Sequence, residues 1–385
     1  MRKTILFAIL MAMALPCRAA MHPVTVQQLH ETLAAQRAAN KSDGDIAQQL
    51  NSLELTEQLT QPALDRISVE FKPGPKTVLS LKLLADSSAF LEPLAGELLA
   101  KAPPIAAEQR AMMKSFINFV AVTQHHMPDF LATRLTDSYD NTPESVTHSG
   151  WAPHTDLHPA GTFSHHIVYR NGEEVLDRQS DSSGAKPKNE PTPMGLVSFG
   201  EFGPALGVIL TDASKGILKW SHWEQTAAGP VAVFHYEVPQ AASHYTVNYC
   251  CVRGSQNSAG AVGLYGMDAS NASLDGSDSY HGTPSYHGNL YLDPATGAVL
   301  RVTVESDLKP SNPIMRAATS VQYGPVEIGG KSYICPVHSI AISLTKSHAK
   351  GDMSDMEILR INEVSFIDYH RFGSTTRIIT DAPAQ

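Results

Sequence analysis

Two hydrophobic rhythms divide this chain. Before about residue 122 the apolar positions recur at helical spacing, and from Phe130 onward they alternate. Thr25-Val26-Gln27-Gln28 has the form of a capping box, with Val26, Leu29 and Leu33 as the stripe behind it. Ser42 with Asp45 opens a second helix through Ile46, Leu50 and Leu53, and Thr60 with Pro62 a third through Leu64 and Ile67. Pro73-Gly74-Pro75 breaks the chain before the apolar run Val78 to Leu84. The longest predicted helix, Ala106 to Val122, carries Met112, Met113, Phe116, Ile117, Phe119 and Val120 on a broad apolar face that needs a covering partner.

The alternating part begins with a hairpin, Phe163 to Arg170 and Glu173 to Arg178, whose Asn171-Gly172 turn supplies positive φ. Ser198-Phe199-Gly200-Glu201 reads as another capping box, with Pro204 in the first turn of a helix through Leu210. Strands are predicted at Ile217–Trp223, Val231–Val238 and Tyr245–Val252. Tyr286 to Leu344 reads as one antiparallel meander turning at Asp293–Gly297 and Gly329-Gly330, and Glu357 to Tyr369 as a last strand before the extended segment Ser374–Ile379. The fold class expected is α+β: an N-terminal helical lobe followed by a large curved antiparallel sheet covered by helices. The boundaries are residues 1–19 as a signal peptide, 20–105 as the helical lobe and 106–385 as the sheet domain, with 254–285, rich in Gly, Ser and Asp, as a flexible insertion.

The first 19 residues set the expected compartment. Arg2 and Lys3 precede the apolar run Ile5 to Leu15, Pro16 breaks it, and Cys17-Arg18-Ala19 offers a small-residue cleavage site. The run is too short to span a bilayer, so export as a secreted or periplasmic protein is expected. Cleavage there removes three of 29 basic residues and no acid, leaving 26 against 38 acidic ones, a formal charge of −12. That balance disfavours nucleic acid as a partner, and no later stretch is long and apolar enough for a transmembrane span. Three cysteines remain, Cys250, Cys251 and Cys335. Neighbours on a strand face opposite ways, so a bridge from one of the pair to Cys335 is one reading and three buried thiols the other.

Seventeen histidines raise the question of a metal. His154-Thr155-Asp156-Leu157-His158 with His165-His166 is the densest group, but it lies in a Pro-rich stretch with no helix to set its spacing, and no metal ligand is assigned. Ser-Tyr-His-Gly occurs twice, at Ser279–Gly282 and Ser285–Gly288. Ser306-x-x-Lys309 and Ser343-x-x-Lys346 sit at strand ends without the motifs that make such serines nucleophiles. Gly329-Gly330-Lys331-Ser332 lies between strands, where backbone amides do not converge on a phosphate. Glu173-Glu174 and Glu201 with Asp212 are paired carboxylates whose plainer roles are solvating a hairpin and capping a helix. No catalytic residue and no cofactor is assigned. The aromatic group Trp220, Trp223, Phe234, Tyr236, Tyr245 and Tyr249 lies on neighbouring strands, where it packs across the sheet or lines a ligand surface.

The run Gly195–Gly207, Trp220-x-x-Trp223-Glu224, Val233-Phe234-x-Tyr236-x-Val238-Pro239, Tyr286-x-Gly288, Asp293-Pro294-x-x-Gly297-x-Val299-Leu300-Arg301, Tyr323-Gly324-Pro325-Val326-x-Ile328-Gly329-Gly330 and Phe366-x-x-Tyr369 together resemble the signature of a family of uncharacterised secreted bacterial proteins. That family brings no known activity. The strand–Asp-x-x-x-Gly–Arg–strand unit is also distantly similar to periplasmic lipoprotein carriers (LolA-like domains), which implies a half-barrel closed by helices over an apolar cavity for acyl chains. The insertion 254–285 and the large helical lobe depart from that pattern. The expectation is therefore a non-enzymatic envelope module holding a lipid or other apolar ligand between sheet and helices, with Met112, Met113, Phe116, Phe119, Trp220, Trp223, Phe234 and Tyr236 lining the site. The alternatives are a structural or protein-interaction domain packed by its own side chains, and, third, a metal-dependent hydrolase using His154, His158 and His165 or His166.

Overall fold

A computed structural model describes residues 22–141, 146–147, 150–151, 156–176, 193–249, 259–263, 280–347 and 356–371. The predicted signal peptide, Cys250, Cys251, His154 and the segment 374–379 lie outside these residues.

Strand β1 (His22–Val24), helices α1 (Val26–Ala38) and α2 (Asp43–Asn51), strand β2 (Leu53–Leu55) and helices α3 (Gln61–Phe71) and α4 (Pro75–Ser87) come first. Their starts are the ones the sequence marks. Thr25 and Gln28 exchange hydrogen bonds, as do Ser42 and Asp45, and Thr60 accepts from the Ala63 amide. Leu29, Leu33, Leu50, Leu53, Ile67 and Leu81 form a core of their own. The short parallel pairing of β1 with β2 is not legible in the sequence, because three-residue strands carry no period.

Helix α5 (Ala106–His126) leads into β3 (Phe130–Asp140), the two-residue strands β4 (Val146–Thr147) and β5 (Gly150–Trp151), β6 (His158–Arg170), β7 (Glu173–Leu176), β8 (Gly195–Ser198) and helix α6 (Pro204–Ala213). Then come β9 (Ile217–Thr226), β10 (Gly229–Val238), β11 (Thr246–Tyr249), β12 (Ala259–Gly263), β13 (Tyr280–Gly282), β14 (Tyr286–Leu292), β15 (Val299–Ser306), β16 (Ile314–Ile328), β17 (Lys331–Ser347) and β18 (Met356–Arg371). Ten strands form one antiparallel sheet in the order β7-β6-β3-β18-β17-β16-β15-β14-β10-β9. The meander from β14 to β17 is contiguous within it. The sheet is open, with β7 and β9 as its edges. The class is α+β.

The tight turns follow the sequence: Asn171 and Gly172 have φ of 55° and 84°, Gly329 and Gly330 of 60° and 79°. Two expectations are corrected. The segment Tyr245–Val252 contributes β11 to a separate four-stranded sheet, β13-β11-β12-β8, so part of the stretch read as a flexible insertion is strand. And α6 starts at Pro204 with Gly203 as its N-cap, without a side-chain cap. Ser198 and Glu201 do not cap it because Arg134 on β3 claims both.

Alternation gives the large sheet two chemically different faces. Helices α5 and α6 cover one, where Phe234, Leu290, Val302 and Val321 meet Phe116, Leu206 and Ile209. The α4 region packs on the other, where Leu83 and Phe90 meet Ala318, Ile340, Ile342 and Ile361. These are called below the α5 face and the α4 face.

Candidate ligand-binding cleft

Strand alternation and the α5 stripe bring all eight expected ligand residues into one cluster. Met112, Phe116, Trp223, Phe234 and Tyr236 are buried in it, and Met113, Phe119 and Trp220 pack at its rim. The apolar face of α5 is narrower than predicted: Met112, Phe116 and Val120 turn inward at i, i+4 and i+8, whereas Ile117 is half exposed. Trp220 meets Trp223 edge-on at 4.9 Å between centroids and Phe234 at 5.4 Å. The Tyr236 hydroxyl donates to the Thr303 carbonyl at 2.6 Å. Gly288 makes room for that bond, since a Cβ there would strike both the Thr303 carbonyl and the Tyr236 hydroxyl. Gly297 likewise lets the β14–β15 turn touch the backbone of α5 at Ser115 and Phe116, with a φ of 76°.

Among the described residues, the space between sheet and helices is thus packed by the chain's own side chains. The recess found there, beside Phe119, Phe202, Leu206 and Tyr323, measures about 20 Å³, one water's worth. The roomy site lies at the sheet's edge. A cleft of about 520 Å³ opens between the segment 101–104, helix α5 and strand β9, and Met112 and Trp223 form its floor. Its walls are Pro103, Pro104 and Pro294, which have no N–H to offer. The Leu99 amide donates to the Trp223 carbonyl at 3.3 Å, so this segment runs beside the edge strand. The Trp223 indole N–H is spent on the Ala102 carbonyl at 2.9 Å, and the Lys101 ammonium lies over the ring, 3.6 Å from its centroid. Glu108 accepts from the Ile105 amide at the start of α5. The cleft thus presents ring and methylene surface, one cation at its lip and one carboxylate.

The polar residues weighed from sequence are placed differently. Glu201 pairs with Arg134 at 3.0 Å, not with Asp212. Ser198 donates to Glu201 at 2.6 Å, and the Tyr323 hydroxyl reaches the Glu201 carbonyl. Glu174 lies beside this pair and accepts from the Gly200 amide. Burial, then the Glu201 charge, pushes the Glu174 carboxyl up to about 7 against the pull of Arg134. One oxygen of each carboxylate has no hydrogen-bond partner. Asp212, fully buried, receives the His244 amide at 2.8 Å, the His244 ring at 2.5 Å and the Tyr286 hydroxyl at 2.9 Å, which pins α6 to the loop before β11.

His158 faces Asp140 and His165 faces Arg134, six positions apart along β3, so about 20 Å of strand separates them. His165 and His166, as neighbours on β6, face opposite sides. The two Tyr-His-Gly copies belong to different sheets, β13 and β14. Cys335 is buried on β17, its thiol pushed up to about 12 by burial. Among the described residues no helix is long and apolar enough to cross a membrane. Searches of protein families, curated proteins and solved structures found no match to this chain.

Proposed function

We propose that this chain is an exported, carrier-type binding module, related in design to the periplasmic lipoprotein carriers, whose site is the edge cleft over Met112 and Trp223. The observation that carries this reading is the cleft itself. Its volume of about 520 Å³ lies within the roughly 300–1,000 Å³ usual for ligand pockets, and its lining joins apolar surface to a few charged groups. The open antiparallel sheet with α5 and α6 on one face supports the likeness to carriers. The ligand would be amphipathic, its chain or ring lying on Met112, Trp223 and the prolines and its anionic head taken by Lys101.

A second reading, a structural or protein-interaction domain of the cell envelope, is favoured by the filled interior. One experiment separates the two. Organic extracts of protein purified without detergent are analysed by mass spectrometry, and tryptophan fluorescence is followed during titration with a medium-chain fatty acid. Carriage predicts a stoichiometric apolar molecule, and a fluorescence change that Trp223→Ala abolishes and Lys101→Met weakens. No co-purified molecule together with unchanged fluorescence leaves the structural reading.

A further inference from the structure

The α4 face holds a second constellation, remote in chemistry from the cleft. Asp86 sits in the last turn of α4, His338 on β17 and Glu363 on β18, and one donor atom from each lies within 4.8 Å of the others. His338 Nε2 is 3.0 Å from an Asp86 carboxylate oxygen, and Nδ1 is 4.0 Å from Glu363. Two features leave a place for a cation there. The His338 Nδ1 is buried without a hydrogen-bond partner, in a residue only 9% exposed, and its nearest carboxylate oxygen is that of Glu363 at 4.0 Å, which leaves Nε2, beside Asp86, as the nitrogen a metal would take. Asp86 places a negative charge at the negative end of a helix whose last turn holds no basic residue, an arrangement that costs stability unless a positive charge offsets it.

Lys82, one turn before Asp86 on α4, ion-pairs with Glu363. It balances one of the two carboxylates. Its side chain is 45% exposed, however, so it can swing into solvent and release Glu363. We infer that Asp86, His338 and Glu363 form a binding site for a divalent metal with mixed nitrogen and oxygen preference, zinc being the apt probe, which fastens the N-terminal helices to the sheet. One imidazole and two carboxylates supply three ligands of the kinds such ions take, and water completes the shell. A doubly charged ion neutralises the pair once Lys82 has left, and it joins α4 to β17 and β18 across the seam.

The test uses the full chain, stripped with a chelator, dialysed and titrated with Zn²⁺ by calorimetry, with thermal melting in parallel. One ion should bind per site and raise the melting temperature. His338→Ala and Asp86→Asn should each weaken that binding by at least about tenfold, while His158→Ala, in a separate histidine–carboxylate pair, leaves it unchanged. Lys82→Met gives the opposite sign: a competitor for Glu363 is gone, so Zn²⁺ should bind several-fold more tightly. Melting without metal checks that each variant folds. If His338→Ala binds Zn²⁺ as the unaltered chain does, or if Lys82→Met fails to tighten binding, the four residues are an ion-pair network only and the site is overturned.

Discussion

The two faces of β10, β14 and β15 are built from the same strands, yet they are stabilised by different physics. On the α5 face, Phe234, Tyr236, Leu290, Val302 and Val304 are closed off by α5 and α6, and the one polar group among them, the Tyr236 hydroxyl, has its acceptor. On the α4 face the alternate positions carry His235, Glu237, His287, Asn289, Arg301 and Glu305 around a small buried cluster of Val231, Val233 and Tyr291. There ion pairs add to the apolar contacts. Arg301 holds Glu224 at 2.8 Å and lies over the Tyr291 ring, and Arg316 holds Glu305 at 2.8 Å. A dry face gains mainly from area removed from water, so its energy scales with side-chain volume. A charged face gains only where each ion keeps a partner, so removing one member costs more than the pair contributes.

The largest effect should come from the dry face. Phe116→Ala empties a fully buried position and is expected to destabilise the fold by about 3–5 kcal/mol, read from urea unfolding. A loss below about 1 kcal/mol would mean that α5 is a loosely held lid. On the charged face, Arg301→Met strands Glu224 and should cost about 3 kcal/mol, most of it recovered in the double variant with Glu224→Gln. Absence of that recovery would show that Arg301 acts through packing on Tyr291 instead.

Glu174 offers a pH test at the far end of the α5 face. Its carboxyl is pushed from 4.5 up to about 7 by burial and by Glu201, so the folded state holds a proton that the unfolded chain releases. The resulting stabilisation is complete below about pH 4.5 and is lost as the pH rises through about 7, a swing of about 3 kcal/mol. Glu174→Gln should flatten the profile between pH 5 and 8, relative to the unaltered chain, by on the order of 2–3 kcal/mol. An unchanged profile would place the titrating group elsewhere. The smallest effect is expected at the exposed Lys219–Glu237 pair, 3.2 Å apart and open to water. Lys219→Ala should change stability by less than about 1 kcal/mol, and less again in high salt.

Local events were legible because local chemistry drives them. Thr25 with Gln28 and Ser42 with Asp45 satisfy amides three residues away, and Asn171-Gly172 and Gly329-Gly330 tolerate positive φ wherever they occur. The Ser198–Glu201 signal has the same spelling as those caps and a different outcome. A buried guanidinium 64 residues earlier in the chain outcompetes a helix amide for both oxygens. Spacing within four residues carries no trace of that competitor. The eight apolar residues expected to line a ligand site lie together because a helical stripe and strand alternation both point inward, but whether the inward side is hollow depends on how completely Phe116, Phe234, Tyr236 and their neighbours fill it.

The sequence by itself determined the α+β class, the change from helical to alternating period near Phe130, the tight turns and the residues of the α5 core, since each follows from neighbours within one or two turns of chain. Only the tertiary structure decided which strands sit side by side, that the described side chains pack the interior while a cleft opens beside Trp223, and that Asp86, His338 and Glu363 meet. Asp86 stands 252 residues before His338, and no periodicity links them. Their encounter is set by the docking of α4 on the sheet, a contact whose energy is spread over both surfaces.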